Sequence, residues 1–312
     1  MTTRIESIDQ VLGQPKLKRL ELSGLDFTGV RKPFAGAGTS LRRCRVTNCD
    51  FTGCNLSGLD VMHSRFERVT FERANLTGLS GGGNTYIGCD WSETRLKGAN
   101  LGAPWPDRFV GCSFRRTRFE STLFADSKFD DCVFDDCIYA GEGQLITEAS
   151  FERCVFRGKL DDITFGTWEY SREEYPMRLK LLGGLRTNRM LDVDFSEAVL
   201  WGVSFIGGVD LSTARLPADG RHRYYRRWPE RVQATLSAAA MTDVEIREGV
   251  ISALLWLKSL GWQGQLQSDR QVEDFDASPE QQQHIVNVDW LQEAAGARAA
   301  TFILENLGPP DG

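Results

Sequence analysis

The sequence predicts a mainly β solenoid followed by a small α-helical domain, and three observations support this fold class. Large apolar residues recur every five positions over about two-thirds of the 312-residue chain. A small residue stands two positions before most of them. After Leu216 the five-residue period ends, and helical patterns replace it. Neither an α-helix, with a period of about 3.6, nor a plain strand, with a period of about 2, produces such a pattern.

The five-residue period is clearest in the phenylalanines, because 15 of the 18 occupy its central position. One uninterrupted run consists of Phe109, Phe114, Phe119, Phe124, Phe129, Phe134 and Tyr139. The same spacing holds upstream from Leu41 to Leu101, with Gly81 as the one lapse. Self-similarity at a short fixed period indicates a solenoid. We therefore expect the central residues to fill the axis of a rod.

All eight cysteines share one position of the repeat, two residues before a central residue. They are Cys44, Cys49, Cys54, Cys89, Cys112, Cys132, Cys137 and Cys154. Alanine, serine and threonine take the same position elsewhere, and a free cysteine behaves as a small buried hydrophobe. The segment FDDCVFDDCIY resembles a metal site in isolation, but zinc would need thiolates that converge on one point. We expect eight buried, metal-free thiols and no cofactor.

Five segments carry a more specific unit, in which Ala or a substitute is followed by Asp or Asn and then by Leu or Phe. They are ANLTG (74–78), ANLGA (99–103), CDFTG (49–53), CNLSG (54–58) and LDFTG (25–29). In these units the chain resembles the pentapeptide-repeat family. The resemblance implies a right-handed quadrilateral β-helix over residues 20–216, with four pentapeptides per coil. Residues twenty apart would then stack, such as Cys112 on Cys132, Arg45 on Arg65 and Arg95 on Arg115.

The predicted organisation places a leader or cap at 1–19, the β-helix at 20–216 and an α-helical domain at 217–312. Two inserts interrupt the β-helix, at 30–40 and 166–189. Exposed insertions on a rigid scaffold often carry function, and aromatic residues dominate binding energy. The second insert supplies the candidate partner-binding residues, which are Trp168, Tyr170, Arg172, Glu173 and Tyr175. The alternative is that this insert only covers a break in the register.

The C-terminal part opens with the basic and aromatic segment RHRYYRRWPE (221–230). We interpret it as a domain interface, with nucleic-acid binding as the alternative. One helix is predicted from Pro229 through Ala240. A capping box at Thr242 and Glu245 would open a second helix, which ends near Leu260 and carries an apolar stripe. That stripe consists of Val250, Ile251, Leu254 and Leu255. A third helix is predicted from about Ser278 to Gly308.

Several functional classes lack support in the sequence. No apolar run approaches the roughly 18 residues of a membrane span, and the polar start lacks the apolar core of a signal peptide. We therefore expect a cytoplasmic protein. The net charge of −6 excludes little. Phosphate loops, dinucleotide fingerprints and His-Glu metal helices are absent, so no enzymatic activity is expected. Asp26, Asp50, Asp60 and Asp90 each precede a central residue, where we expect them to stabilise turns.

Three functional hypotheses remain, of which nucleic-acid binding through the basic patches has the least support; the other two come from different classes. The first is a non-enzymatic protein-protein interaction scaffold. The second, implied by the family resemblance, is a DNA-mimicking modulator of a type II topoisomerase such as DNA gyrase, which protects against topoisomerase poisons. A DNA mimic needs acidic residues that repeat on one face. Residues 1–216 instead hold 28 basic and 29 acidic residues, a net charge of −1, and residues 217–312 hold 9 and 14, a net charge of −5.

The scaffold is therefore the preferred hypothesis, with a protein partner of unknown identity. DNA gyrase or another type II topoisomerase is the specific alternative. Membrane association and direct nucleic-acid binding are not expected. Homodimerisation through the C-terminal helices is left open.

Overall fold

Four columns of short parallel strands and single bridges form the sides of a β-solenoid. The structure, a computed structural model, describes residues 3–11, 14, 16–30, 39–125, 127–140, 144–147, 149–166, 190–205, 209–262 and 283–311. The chain is mainly β, with helices in its C-terminal part. The predicted four-sided solenoid is thereby confirmed.

The strands of the first half are β1 (Thr3–Ile5), β2 (Lys16–Lys18), β3 (Leu20–Ser23), β4 (Ser40–Arg42), β5 (Arg45–Thr47), β6 (Asp60–Met62), β7 (Arg65–Glu67), β8 (Ser80–Gly82), β9 (Thr85–Ile87), β10 (Arg108–Val110), β11 (Ser113–Arg115) and β12 (Arg118–Glu120). Those of the second half are β13 (Lys128–Asp130), β14 (Val133–Asp135), β15 (Ile138–Ala140), β16 (Gln144–Thr147), β17 (Ser150–Glu152), β18 (Val155–Asp161), β19 (Ile163–Gly166), β20 (Met190–Leu191), β21 (Asp194–Trp201), β22 (Ser204–Phe205), β23 (His222–Arg226) and β24 (Gln283–Asn287). The helices are a 3-10 turn (Ile8–Gln10), α1 (Trp228–Ala239), α2 (Val244–Trp262), α3 (Val288–Ala295) and α4 (Ala297–Asn306).

Each side of the solenoid is a ladder of successive coils. Side 1 is the nine-stranded sheet β1-β3-β5-β7-β9-β10-β13-β17-β20. Side 2 runs through bridges between Asp26, Asp50, Thr70, Asp90 and Ser113 into the sheet β11-β14-β18-β21. Side 3 begins with bridges between Asn55, Asn75, Arg95 and Arg118, and it ends in the second halves of β18 and β21. Side 4 contains the sheets β2-β4-β6-β8 and β16-β19-β22. Strands β1 and β2 belong to these ladders although they lie in the predicted leader.

The corners of the coil explain the length of the repeat. The residue two places after many of the central residues has a left-handed backbone, with φ of 52° at Asn48, 67° at Gly53 and 51° at His63. One left-handed residue in five turns the chain to the next side. This conformation costs an L-residue about 1–2 kcal/mol, so glycine is frequent at the corners.

The core of the rod is a set of stacked aromatic rings. All 15 central phenylalanines are buried, as predicted. On side 2, Phe134 lies between Phe114 and Phe156, with ring centroids 4.8 and 4.7 Å apart and nearly parallel planes. Full burial of one such side chain stabilises the fold by about 1.5–3 kcal/mol. The stacked rings therefore hold neighbouring coils together in addition to the backbone ladders.

Close backbone contacts on side 4 explain the lapse of the repeat at Gly81 and the glycine that follows it. A Cβ atom at Gly81 would lie 1.8 Å from the Val61 carbonyl oxygen, and one at Gly82 would lie 2.4 Å from the Trp105 carbonyl oxygen. The Val61 backbone thus leaves no room for a side chain at Gly81, and the chain near Trp105 crosses Gly82 at backbone distance. The loop near Trp105 adds three residues to its coil, so β9 pairs with β10 at an offset of 23. The predicted pair of Arg95 with Arg115 is wrong for this reason, because Arg95 pairs with Arg118.

The C-terminal part contains two strands that the sequence did not predict. β23 and β24 pair antiparallel, with Tyr224 opposite Ile285. The predicted third helix is therefore wrong at its start, and it is also divided at Gly296, whose φ is 78°. Ile285 belongs to the solenoid core and Val286 to the helical core. This alternation of neighbouring residues between two cores is a strand pattern, which overrides the helical pattern.

The second helix also starts differently from the prediction. Asp243, not Thr242, accepts the capping hydrogen bond, from the Ile246 amide at 3.0 Å. The side chain of Thr242 instead donates to the Ala239 carbonyl at 2.7 Å. In the predicted stripe, Val250 and Leu254 are buried, whereas Ile251 is 39% exposed. Among the helices that the structure describes, none is long and apolar enough to cross a membrane.

Candidate functional site

The predicted partner-binding residues lie outside the described part of the chain. This holds for Trp168, Tyr170, Arg172, Glu173 and Tyr175, and also for most of the first insert, 31–38. The candidate site must therefore be sought on the described coils and helices.

The charged residues on side 1 are largely paired with one another. Arg45 and Arg65 are register partners on adjacent coils, as predicted, and both form ion pairs with Glu67. The hydrogen bond from Arg65 lowers the pKa of the Glu67 carboxyl. Further along, Asp130 forms ion pairs with Arg108 and Arg153. Exposed pairs of this kind contribute little stability, but they leave a partner few unpaired charges to recognise.

The aspartates before the central residues mostly stabilise turns, as predicted. Asp26, Asp50 and Asp90 accept hydrogen bonds from backbone amides two residues later, at 2.8, 2.8 and 2.9 Å. Asp60 differs, because it pairs with Arg42 at 2.9 Å on side 4. Since these carboxylates have partners within the rod, they are poor candidates for a DNA-like acidic surface.

All eight cysteines are buried, which confirms the prediction from their shared position. The two in the FDDCVFDDCIY segment, Cys132 and Cys137, stand at successive corners of one coil, and the Cys137 thiol donates to the Phe114 carbonyl at 2.9 Å. Burial raises the pKa of the Cys54 thiol to about 11 and that of Cys137 to about 12. These two thiols are therefore protonated at neutral pH and are poor nucleophiles. Within the described residues, no three His, Cys, Asp or Glu side chains form a metal-binding group.

One corner column carries polar residues at the small position, and two of them, Asn84 and Asp107, were missed by the sequence reasoning. Ser64, Asn84 and Asp107 occupy the small position on three consecutive coils, and each accepts a hydrogen bond from the backbone of the coil before it. The shortest of these bonds joins the Asn84 amide to Asp107 Oδ1 at 2.7 Å. Burial raises the pKa of Asp107 to about 7. The available signal was a polar residue two places before Tyr86 and Phe109, where the repeat otherwise has small residues.

The basic and aromatic segment 221–230 forms the interface between the solenoid and the helices. His222 is buried, and its Nε2 accepts a hydrogen bond from the Leu200 amide at 3.0 Å. Its Nδ1 lies 3.0 Å from an Asp219 oxygen. Tyr225 is fully buried in the helical core. Arg231, which follows the segment, donates to the Leu307 carbonyl and pairs with Asp311. These contacts support the interface interpretation.

A cavity of about 360 Å³ lies where the last coils meet the helices. We call it the junction cavity. Its floor is formed by Asp161, Asp162 and Trp201, at the ends of β18 and β21. Its walls are formed by Ser252 and Ala253 of α2 and by Trp290, Glu293 and Ala294 of α3. Pairing of β18 with β21 positions the floor, because Asp161 and Trp201 are register partners on adjacent strands.

The junction cavity carries excess negative charge beside two indole rings. Lys159 pairs with Asp161 at 2.7 Å, and its ammonium lies 4.8 Å from the centre of the Trp201 ring. Burial raises the pKa of Asp162, and the charge of Asp161 raises it further. The sequence did not predict this site, because its residues come from two coils and two helices. The only local signal was the doublet Asp161–Asp162 at the end of a repeat.

Comparisons with known proteins agree with the observed coils. Residues 37–68 match the family model described as pentapeptide repeats, with eight copies. A search of curated proteins found no match in sequence.

Three solved structures are similar in fold. Rfr23, a pentapeptide repeat protein from the cyanobacterium Cyanothece 51142, is 18% identical over 37% of this chain and 91% of its own, with a TM-score of 0.31. QnrB1, a plasmid-mediated fluoroquinolone resistance protein, is 14% identical over 65% and 86%, with a TM-score of 0.31. HetL, a pentapeptide repeat protein involved in heterocyst differentiation regulation from the cyanobacterium Nostoc sp. strain PCC 7120, is 13% identical over 65% and 90%, with a TM-score of 0.22. At these identities and TM-scores the matches do not bear on what the present chain binds.

Proposed function

We propose that the chain, whose residues 37–68 match pentapeptide repeats, is a non-enzymatic interaction scaffold that binds a protein partner at the junction between its last coils and its C-terminal helices. One observation carries this proposal. The helical part is fixed to the end of the rod, through Ile285 and the hydrogen bonds of His222, and a concave site with two tryptophans remains between them. Concave sites with aromatic side chains are where binding energy concentrates.

The described faces of the rod support recognition less well. Their charges form mixed ion pairs between coils, as at Glu67 and Asp130, and their turn aspartates bond to the backbone. A partner gains specificity from a complementary run of charge, and these faces offer none over several coils. The alternative of a DNA-mimicking topoisomerase modulator needs such a run of acidic residues. The geometry of the described coils therefore favours the scaffold.

The insert at 166–189 is a second proposed contact with the partner. This part of the proposal rests on the sequence, because Trp168, Tyr170 and Tyr175 provide aromatic side chains beside Arg172 and Glu173. In the sequence the insert lies between β19 and β20, which both belong to the last coils.

The test is to capture partners from the native cell with the full-length chain and with matched variants. Ala294→Arg places a long side chain in the wall of the junction cavity, whereas Ala234→Arg makes the same change on exposed α1. We expect Ala294→Arg to reduce capture at least tenfold, because it occludes the site, and Ala234→Arg to leave it unchanged. A third variant replaces residues 168–186 with a short Gly-Ser linker, which should weaken capture without lowering the melting temperature.

Three outcomes bear on the proposal. Equal capture by the two arginine variants would show that the junction does not bind the partner. Full capture by the linker variant, with a lowered melting temperature, would make the insert structural. Topoisomerase subunits among the captured proteins, together with inhibition of supercoiling by the purified chain, would favour the modulator instead.

A further inference from the structure

We propose that the junction cavity binds the alkylammonium or guanidinium head of an organic cation. This inference rests on the proposed function for the source of the cation, which would be a lysine or arginine side chain of the partner. A free amine offers the same chemistry and is the other source.

The charge at the cavity favours a cation over a neutral or anionic ligand. Asp161, Asp162 and Glu293 contribute three carboxylates, and only Asp161 has a cationic partner among the described residues, Lys159. Two negative charges are thus left without an ion pair within the described part of the chain. Asp162 is an exposed residue beside Asp161, and partial desolvation of its carboxyl together with the charge of Asp161 raises its pKa. A bound cation would offset the repulsion and supply the missing partner.

The two indole rings make an organic cation the preferred ligand. Trp201 already accepts a cation within the chain, since the Lys159 ammonium lies 4.8 Å from its ring centre. Tryptophan is the strongest of the aromatic residues in cation–π contacts with ammonium and guanidinium groups. A divalent metal would instead need several converging oxygen ligands. No such group of three side chains occurs among the described residues.

The volume of the cavity limits the size of the ligand. At about 360 Å³ it lies near the lower end of the range for small-molecule sites, roughly 300–1,000 Å³. That space suits the end of one side chain or a small amine better than a nucleotide or another large cofactor. Ser252 adds a hydroxyl to the wall, which can accept a hydrogen bond from the cation.

The experiment titrates the purified full-length protein, with nitrogen-15 in its tryptophan indoles, and follows the N–H signals by NMR. Trp201→Phe and Trp290→Phe identify the two signals of the cavity. The probes are N-acetyl-lysine methylamide, N-acetyl-arginine methylamide, spermidine and tetramethylammonium, with N-acetyl-norleucine methylamide as the neutral control. We expect saturable shifts of both signals with the cations and none with the neutral compound.

Charge-removing variants provide the second part of the test. The double variant Asp162→Asn with Glu293→Gln should weaken binding of the cations on the order of tenfold or more, as expected for charge-assisted hydrogen bonds. Glu305→Gln, an exposed carboxyl on α4 away from the cavity, should bind as the wild type does. Equal shifts with the norleucine compound, or cation binding that the double variant retains in full, would overturn the proposal.

The set of probes also distinguishes a partner side chain from a free amine as the source of the cation. It further distinguishes failure of the cation site from failure of the proposed partner binding. Binding of the capped lysine or arginine supports a partner side chain, whereas binding of spermidine or tetramethylammonium alone assigns the site to a free amine. Absence of any cation-induced shift overturns the site. Because the titration uses no partner, its failure would leave the capture result standing, and a failed capture would leave a measured cation site standing.

Discussion

At the residue scale, the rod contains two kinds of buried position, the central residues that fill its axis and the polar residues at the small position. A period of five identifies central residues such as Phe134 regardless of their neighbours, because each must fill the axis. The role of Asp107 depends on its neighbour in space, since its carboxylate accepts the amide hydrogen of Asn84, 23 residues earlier. That offset exists only because the loop near Trp105 lengthens the coil. The sequence therefore shows that the small position is polar at Asp107, but it does not show which backbone group forms a hydrogen bond with that side chain.

Asp107 makes the stability of the fold depend on pH. Its pKa is about 7 in the folded chain, because burial disfavours the carboxylate, against about 3.9 in an unfolded chain. Between these values the folded state binds more protons, so the free energy of unfolding falls as pH rises from about 4 to about 7. Below this window the contribution of the protonated side chain is fully present.

We expect Asp107→Asn to remove this part of the pH dependence and to keep the acceptor for Asn84. Urea unfolding of both proteins at pH 4.5 and 7.5 measures it. Wild type should lose on the order of 1 kcal/mol or more between the two conditions relative to the variant. Glu305→Gln on exposed α4 should behave as the wild type does. An unchanged pH slope in Asp107→Asn would show that the acid does not titrate in this window.

At the scale of elements, the five-residue repeat determines the coils. Features that depart from the repeat, such as β24 and Gly81, are determined by contacts with neighbouring elements. The sequence predicted the period, the stacking of Arg45 on Arg65 and the first two helices. It did not predict β24, because Ile285 and Val286 face two different cores that exist only after folding. It also treated Gly81 as a lapse, whereas the structure shows a position where the backbone of another coil leaves no room for a side chain.

The role of Gly81 can be separated from its backbone conformation. Gly81→Ala would place a Cβ atom 1.8 Å from the Val61 carbonyl oxygen, so the backbone of one of the two coils must shift. We expect a loss of about 3 kcal/mol in the free energy of unfolding, at the upper end of the range for overpacking. Gly53→Ala is a control for positive φ in open space, since Gly53 has a φ of 67°, against 128° at Gly81, and nothing within 4 Å of its Cβ position.

The control should lose only the cost of the left-handed backbone, about 1 kcal/mol. Urea unfolding monitored by far-ultraviolet circular dichroism measures both variants. Equal losses would show that the close approach of Val61 adds nothing to the cost of a positive φ.

At the scale of the whole molecule, the rod and the helices form one structure with two cores that share a strand. β24 contributes Ile285 to the solenoid core and Val286 to the helical core, while Asn287 caps α3 by accepting the Trp290 amide at 3.0 Å. The last coil thus has its end covered by the segment that begins the helices. A solenoid end left uncovered would expose unpaired backbone and apolar side chains. The position of the junction cavity depends on this attachment.

If the two cores are coupled in this way, a change at Ile285 should affect both. Ile285→Ala removes buried methyl groups from the solenoid core and should cost roughly 3 kcal/mol of unfolding free energy. Ile251→Ala makes the same chemical change on α2 at a residue that is 39% exposed, so it should cost far less. Hydrogen exchange followed by mass spectrometry reports the two parts separately. We expect Ile285→Ala to speed exchange both in β21 and β22 and in α3 and α4, because the shared strand transmits the loss of packing to both sides. Faster exchange in the helices alone would show that the last coils do not depend on the packing of Ile285. The claim that β24 couples the solenoid core to the helical core would then be wrong.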